Sequence, residues 1–256
     1  GGNGNDTLNG GLGNDRLVGG SGTDTAVFSS RNNTVNLGTT SRQSTGDGRD
    51  ILTGIENVNG GGGRDTLTGS SAANTLNGGN GNDTLNGGLG NDRLVGGTGT
   101  DTAVFSSRNN TVNLAKTSRQ NTRDGRDILT GIENVNGGGG NDRLTGNSAA
   151  NTLNGGGGND TLRGQAGNDT LIGGTGRDTL WGGSGDDIFR VTSGSGRARI
   201  RDFTDGDDQI HLGSGVSGVT WSTRGNNVNI FKNNDLMAIV NGISAGTLTR
   251  SGQYLI

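Results

Sequence analysis

Aspartate returns in a nine-residue register along three stretches of this chain: Asp6, Asp15 and Asp24; Asp65, Asp83, Asp92 and Asp101; and Asp142, Asp160, Asp169, Asp178 and Asp187, with Asn74 and Asn151 filling two register positions. Turn propensity alone does not account for a carboxylate held at one phase of a short period, because Asp and Asn serve equally well at several places beside glycine. The pattern suits a hard cation. Carboxylates stacked at the spacing of neighbouring strands repel each other unless a counter-charge lies among them. Calcium takes about six to eight oxygens in flexible geometry, a shell that carboxylates and glycine carbonyls can fill, whereas magnesium demands tight octahedral geometry and keeps its waters. Competing chemistries lack their residues. Cysteine is absent and His211 is the only histidine, so no thiolate site, nucleophile–base set or Ser-His-Asp constellation assembles. The glycine-rich turns carry no G-x-x-x-x-G-K-[ST] and lead into no helix, which excludes a phosphate loop.

The element that must position these aspartates is a unit G-G-x-G-x-D-x-U-x, where U is apolar, as in GGNGNDTLN (1–9), GGLGNDRLV (10–18) and GGSGTDTAV (19–27). One apolar residue per unit suits very short strands and no helix. Each unit divides into a six-residue turn and a three-residue strand whose central side chain points inward while Thr, Asn or Arg point out. Two units complete a circuit, so residues 18 apart stack, which predicts sites between Asp6 and Asp24, Asp65 and Asp83, Asp83 and Asp101, Asp142 and Asp160, Asp160 and Asp178, and Asp169 and Asp187. Asp15 and Asp92 belong to the same ladder. The turn carbonyls come from the second and fourth glycines: Gly2 and Gly4, Gly20 and Gly22, Gly61 and Gly63, Gly79 and Gly81, Gly97 and Gly99, Gly138 and Gly140, Gly156 and Gly158, and Gly174 and Gly176. The expected load is about six to nine calcium ions. Asn74 and Asn151 keep an oxygen but lose the charge, so sites using them are expected to be weak or empty.

A longer period encloses the short one. Residues 1–77 recur at 78–154 with eight substitutions, among them Ser21 against Thr98 and Arg64 against Asn141. The expected organisation is three arrays, 1–27, 60–104 and 137–187, separated by spacers 28–59 and 105–136 and closed by 188–256. The spacers alternate apolar residues such as Val35 and Leu37 and read as wider coils of the same solenoid with a polar surface loop. Asp47, Asp50, Asp124 and Asp127, in GDGRD and RDGRD, could add a ligand, with a solvated turn carboxylate as the preferred reading.

These nonapeptides resemble those of the RTX, or hemolysin-type, calcium-binding family of bacterial secreted toxins, proteases, lipases and epimerases. The resemblance implies an all-β, right-handed parallel β-roll. It also implies folding on contact with extracellular calcium and export by the type I secretion machinery, with calcium as the cofactor and a secreted or cell-surface location. Residues 188–212 are similar to the segment that caps such rolls, in which Asp202, Asp207 and Asp208 would hold one more ion. The terminal LMAIVNGISAGTLTRSGQYLI is similar to a type I secretion signal.

Composition agrees with a chain that cannot fold on apolar burial alone: 56 of 256 residues are glycine and 26% are hydrophobic, whereas glycine has the most conformational freedom to lose. A formal net charge of −3 with scattered Lys and Arg does not form the basic stripe of a nucleic-acid binder, and no apolar run spans a bilayer. The chain reads as a monomeric, non-catalytic part of a longer protein, which leaves open whether that protein is an enzyme or an adhesive surface module. His211 reads as structural, and Trp181 and Trp221 as strand residues.

Overall fold

A computed structural model describes residues 1–191, 196–204, 206–213, 218–243, 248–251 and 254–256. Parts of the cap and of the terminal segment expected to carry the secretion signal lie outside these residues. The described residues form strands, turns and bends with no helix, hence none long and apolar enough to cross a membrane. Two compact units emerge, Gly1–Phe105 with Lys116–Asn134, and Ser106–Ala115 with Val135–Ile256.

In the first unit the strands are two to six residues long and the repeat strands stack in parallel, in the 18-residue register that the repeats dictate: Thr7 pairs with Thr25, Thr66 with Thr84, Thr84 with Thr102 and Thr75 with Arg93. One inward ladder runs Leu8, Ala26, Val58, Leu76, Leu94, Leu129. Another runs Val35, Leu67, Leu85, Ala103. Apart from Leu8 at the open first coil, these side chains are buried. Each contributes about 1.5–3 kcal/mol on full burial, but each must order a nine-residue unit rich in glycine, so the ladder alone is a thin core.

Strands of the first unit also pair in parallel across longer steps. Thr25 pairs across the first spacer with Asn57 and Arg16 with Ile51, steps of 32 and 35 residues. Each spacer also holds an antiparallel pairing that alternation of apolar residues did not announce, Gln43 with Asp50 and Gln120 with Asp127.

The second unit is likewise a parallel β-roll, with ladders Val112, Leu144, Leu162, Leu180, Ile200, Val240 and Leu153, Leu171, Phe189, Ile210. It is closed by an antiparallel meander, Val219–Thr223, Asn227–Lys232 and Asp235–Asn241, and by Leu255, which lies antiparallel to Ile210. These strands cover apolar edges that a terminal coil would otherwise leave bare.

Candidate metal centres

The turn at residues 60–65 shows how the sequence sets each centre. Asp65 Oδ1 accepts the backbone N–H of Asn33 at 2.7 Å, and the N–H of Asp65 donates to Asp83 Oδ1 at 2.7 Å. The N–H of Asp83 donates in turn to Asp101 Oδ1 at 2.7 Å. The second unit repeats the device: Asp142 to Asp160, Asp160 to Asp178, and Asp169 to Asp187, at 2.7, 2.9 and 2.8 Å. Every aspartate pair expected from the 18-residue spacing is therefore a hydrogen-bonded neighbour, Asp6 and Asp24 included.

One carboxylate oxygen is thus spent on joining coils. The other turns into its own six-residue turn. The Oδ2 atoms of Asp6, Asp15, Asp24, Asp65, Asp83, Asp92, Asp101, Asp160, Asp169 and Asp187 are buried and accept no hydrogen bond. An ionised oxygen shut away from water without a donor is costly. Accordingly, burial pushes Asp92, Asp160 and Asp169 up to about 7 and Asp65, Asp101, Asp178 and Asp187 up to about 6. Neighbouring carboxylates add to the rise, as Asp178 and Asp142 do at Asp160. These oxygens need a proton or a cation.

Two asparagines show what the turns offer a cation. Asn33 stands where the next coil has Asp65, and its amide nitrogen donates to three carbonyls, Ser29 O at 3.2 Å, Arg31 O at 2.7 Å and Gly60 O at 3.1 Å. Asn110 does the same with Ser106 O, Arg108 O and Gly137 O, at 3.0, 2.8 and 3.0 Å. The carbonyls belong to the second and fourth residues of the asparagine's own turn and the first of the next. Where aspartate replaces asparagine, a carboxylate oxygen faces the corresponding carbonyls with no hydrogen between them. A β-carbon on Gly60 would lie 2.1 Å from Asp65 Oδ2 and 2.9 Å from Gly78 O, which places those two oxygens in one crowded corner. The donor set is all oxygen, mixes carboxylate with carbonyl, and suits calcium. Among the described residues no three His, Cys, Asp or Glu side chains converge, so carbonyls are an obligatory part of any shell. The glycines expected to supply them, such as Gly61 at 93° and Gly63 at 92°, all hold positive φ, a conformation glycine adopts at little cost.

A family model described as the RTX calcium-binding nonapeptide repeat (4 copies) matches residues 1–26, 52–85, 68–103, 128–162 and 163–197, together more than half of the chain. The chain belongs to this RTX repeat family. Calcium is therefore the cation of its turns. No curated protein matches the chain. Among solved structures it is similar to the extracellular lipase LipA from Serratia marcescens at 16% identity and a TM-score of 0.34, covering 79% of this chain and 43% of that one.

The RTX register extends further than the repeats themselves. Asp15 donates its N–H to Asp50 Oδ1 and Asp92 to Asp127 Oδ1, both at 2.8 Å. Asp24 donates to Glu56 Oε2 and Asp101 to Glu133 Oε2, both at 2.8 Å. The expectation that Asp47, Asp50, Asp124 and Asp127 are solvated is overturned, since they are 8%, 3%, 8% and 3% exposed. The hairpin presses them against neighbouring coils. Glu56 and Glu133 were missed because their turns are shorter than six residues and the longer side chain makes up the distance. Asn74 and Asn151 lack the charge but keep the rung, donating to Asp92 and Asp169 Oδ1 at 2.8 and 2.7 Å. In the cap, Asp208 accepts the N–H of Asp187 and of Thr204, and Asp202 those of Gly182 and Gly183, while Asp207 is exposed. Asp208 thus ends the ladder with both oxygens engaged. The His211 ring lies tilted at 53° against Tyr254 with centroids 4.8 Å apart, and the Arg163 guanidinium lies 4.2 Å over Trp181.

Proposed function

We propose that this chain is a calcium-responsive folding module of a secreted bacterial protein. The reading rests on the row of buried, unpartnered Oδ2 atoms in carbonyl-lined turns. In a calcium-poor cytoplasm the carboxylates keep the coils apart and the chain stays extended enough for export through type I machinery. Extracellular calcium then supplies the charge that the turns lack, and binding free energy becomes folding free energy. Asp side chains and backbone carbonyls bind and Asn side chains position; the module itself does no bond-making chemistry. Any catalytic or adhesive activity belongs to the rest of the parent protein.

Ions bind between stacked turns at Asp6 and Asp24, Asp65 and Asp83, Asp83 and Asp101, Asp142 and Asp160, Asp160 and Asp178, and Asp169 and Asp187, with the second and fourth glycine carbonyls of each turn. Equilibrium dialysis of the chain against calcium tests this: about six to nine ions per monomer are expected, and one ion or none overturns the reading.

A further inference from the structure

We propose that residues 45–50 and 122–127, which lie outside every stretch matched by the family model, are two further cation-binding turns. Each completes a calcium site with a repeat turn, 10–15 and 87–92 respectively. The proposal deepens the calcium reading above and rests on it.

The overlay is position for position. Gly13 bridges to Gly48 and Gly90 to Gly125 in parallel, and the strands that follow pair in the same register, Arg16 with Ile51 and Arg93 with Ile128. TGDGRD therefore lies on GGLGND, and so does TRDGRD. The fifth-position rung is kept: Arg49 N–H donates to Asn14 Oδ1 at 3.0 Å and Arg126 N–H to Asn91 Oδ1 at 2.9 Å, as Thr23 N–H does to Asn5 Oδ1 in a repeat pair at 2.8 Å. The sixth position is Asp50 or Asp127, bonded to the aspartate beside it. Even the second position keeps positive φ, 97° at Gly46 and 78° at Arg123, a conformation that a non-glycine residue adopts only under constraint.

Two differences tell what these turns do. The first glycine is replaced by threonine, whose hydroxyl donates to Oδ2 of Asp50 or Asp127. That carboxylate is therefore fully engaged, one oxygen across the coils and the other within its own turn. The third position carries an extra carboxylate, Asp47 or Asp124. Asp47 is held by the N–H and hydroxyl of Ser29, and the repeat turn beside each spacer turn keeps an oxygen with nothing to bind: Asp92 is 2% exposed and its Oδ2 has no donor, and the Asp15 Oδ2 is buried likewise. Asp124 and Asp127 both act electrostatically on Asp92. Asp92, with the carbonyls of its turn, supplies direct oxygens, Asp127 positions it, and the charges of Asp127 and Asp124 help hold the ion.

The test uses the full chain with Leu89→Trp, since Leu89 is 41% exposed in the turn that holds Asp92. The added indole sensitises terbium, a calcium surrogate, bound beside it. Adding Asp127→Asn, which keeps the acceptor for Asp92, should lower the sensitised emission several-fold and remove one calcium in equilibrium dialysis. Emission and ion count equal to those of the Leu89→Trp chain overturn the proposal. If Asp127→Asn does not fold in saturating calcium, Asp124→Asn leaves the ladder bond intact and carries the test: a several-fold weaker terbium titration supports the site, and an unchanged one overturns it. A Leu89→Trp chain that binds no calcium at all would instead sink the underlying calcium reading.

Discussion

Asn110→Asp offers a sharp perturbation because the structure states what the asparagine does. The residue is 0% exposed, and its amide nitrogen holds three carbonyls of two turns at 2.8–3.0 Å. Aspartate deletes those donors and puts an acceptor among acceptors. The two N–H groups that the three carbonyls share are worth about 1 kcal/mol net each, and leaving buried carbonyls unpaired adds about 1 more, so the loss is about 3 kcal/mol when no ion enters. The same change recreates the oxygen set of a repeat turn, so an ion should enter. At a free calcium concentration about a hundred times the new site's Kd, binding returns about 2.7 kcal/mol. The variant should therefore be less stable than the parent by about 3 kcal/mol just above the calcium concentration at which it folds, and nearly equal to it in excess calcium. Urea unfolding followed by circular dichroism at the two calcium levels reads both values, and dialysis should count one ion more. A loss equal at both levels, with no added ion, would refute the idea that the amide stands in a cation's place.

Two other outcomes follow from the same geometry. Gly79 has φ 104°, and a β-carbon there would lie 2.2 Å from Gly61 O, a backbone atom that cannot swing away. Gly79→Ala should cost about 2 kcal/mol or more and raise the calcium midpoint of folding, whereas an unchanged midpoint would contradict the close stacking of turns. The pH dependence has a definite sign. Asp92, Asp160 and Asp169 rise from 3.8 to about 7 in the ion-free fold. That fold therefore holds more protons than the unfolded chain between those values, is favoured below about 4, and loses this support as pH rises through about 7. Calcium needs the carboxylates ionised, so its affinity should fall at least about tenfold between roughly pH 8 and pH 5. Equal affinities by titration calorimetry at the two pH values would count against burial as the source of the shifts.

What was legible in the sequence was whatever the nine-residue period governs. The aspartate pairs, the inward leucines and the glycines of positive φ all follow from units that repeat without insertion, because stacking at 18 residues is then the sole register available. An insertion leaves the period visible but hides which coil comes next. Asp50 and Asp127 share the phase of Asp15 and Asp92 only at a step of 35 residues, after a loop and a hairpin, and threonine in place of the first glycine disguises the turn. Glu56 and Glu133 occupy the ladder through side-chain length, not spacing. Asn33 and Asn110 are ordinary residues until the fold places three carbonyls around the amide.

The central claim is that the turns fold around calcium. Far-UV circular dichroism of the chain in EGTA, followed by calcium titration, tests it most directly. The account predicts a coil spectrum without the ion and a cooperative gain of β structure as calcium is added. A β spectrum in EGTA that calcium leaves unchanged would contradict it.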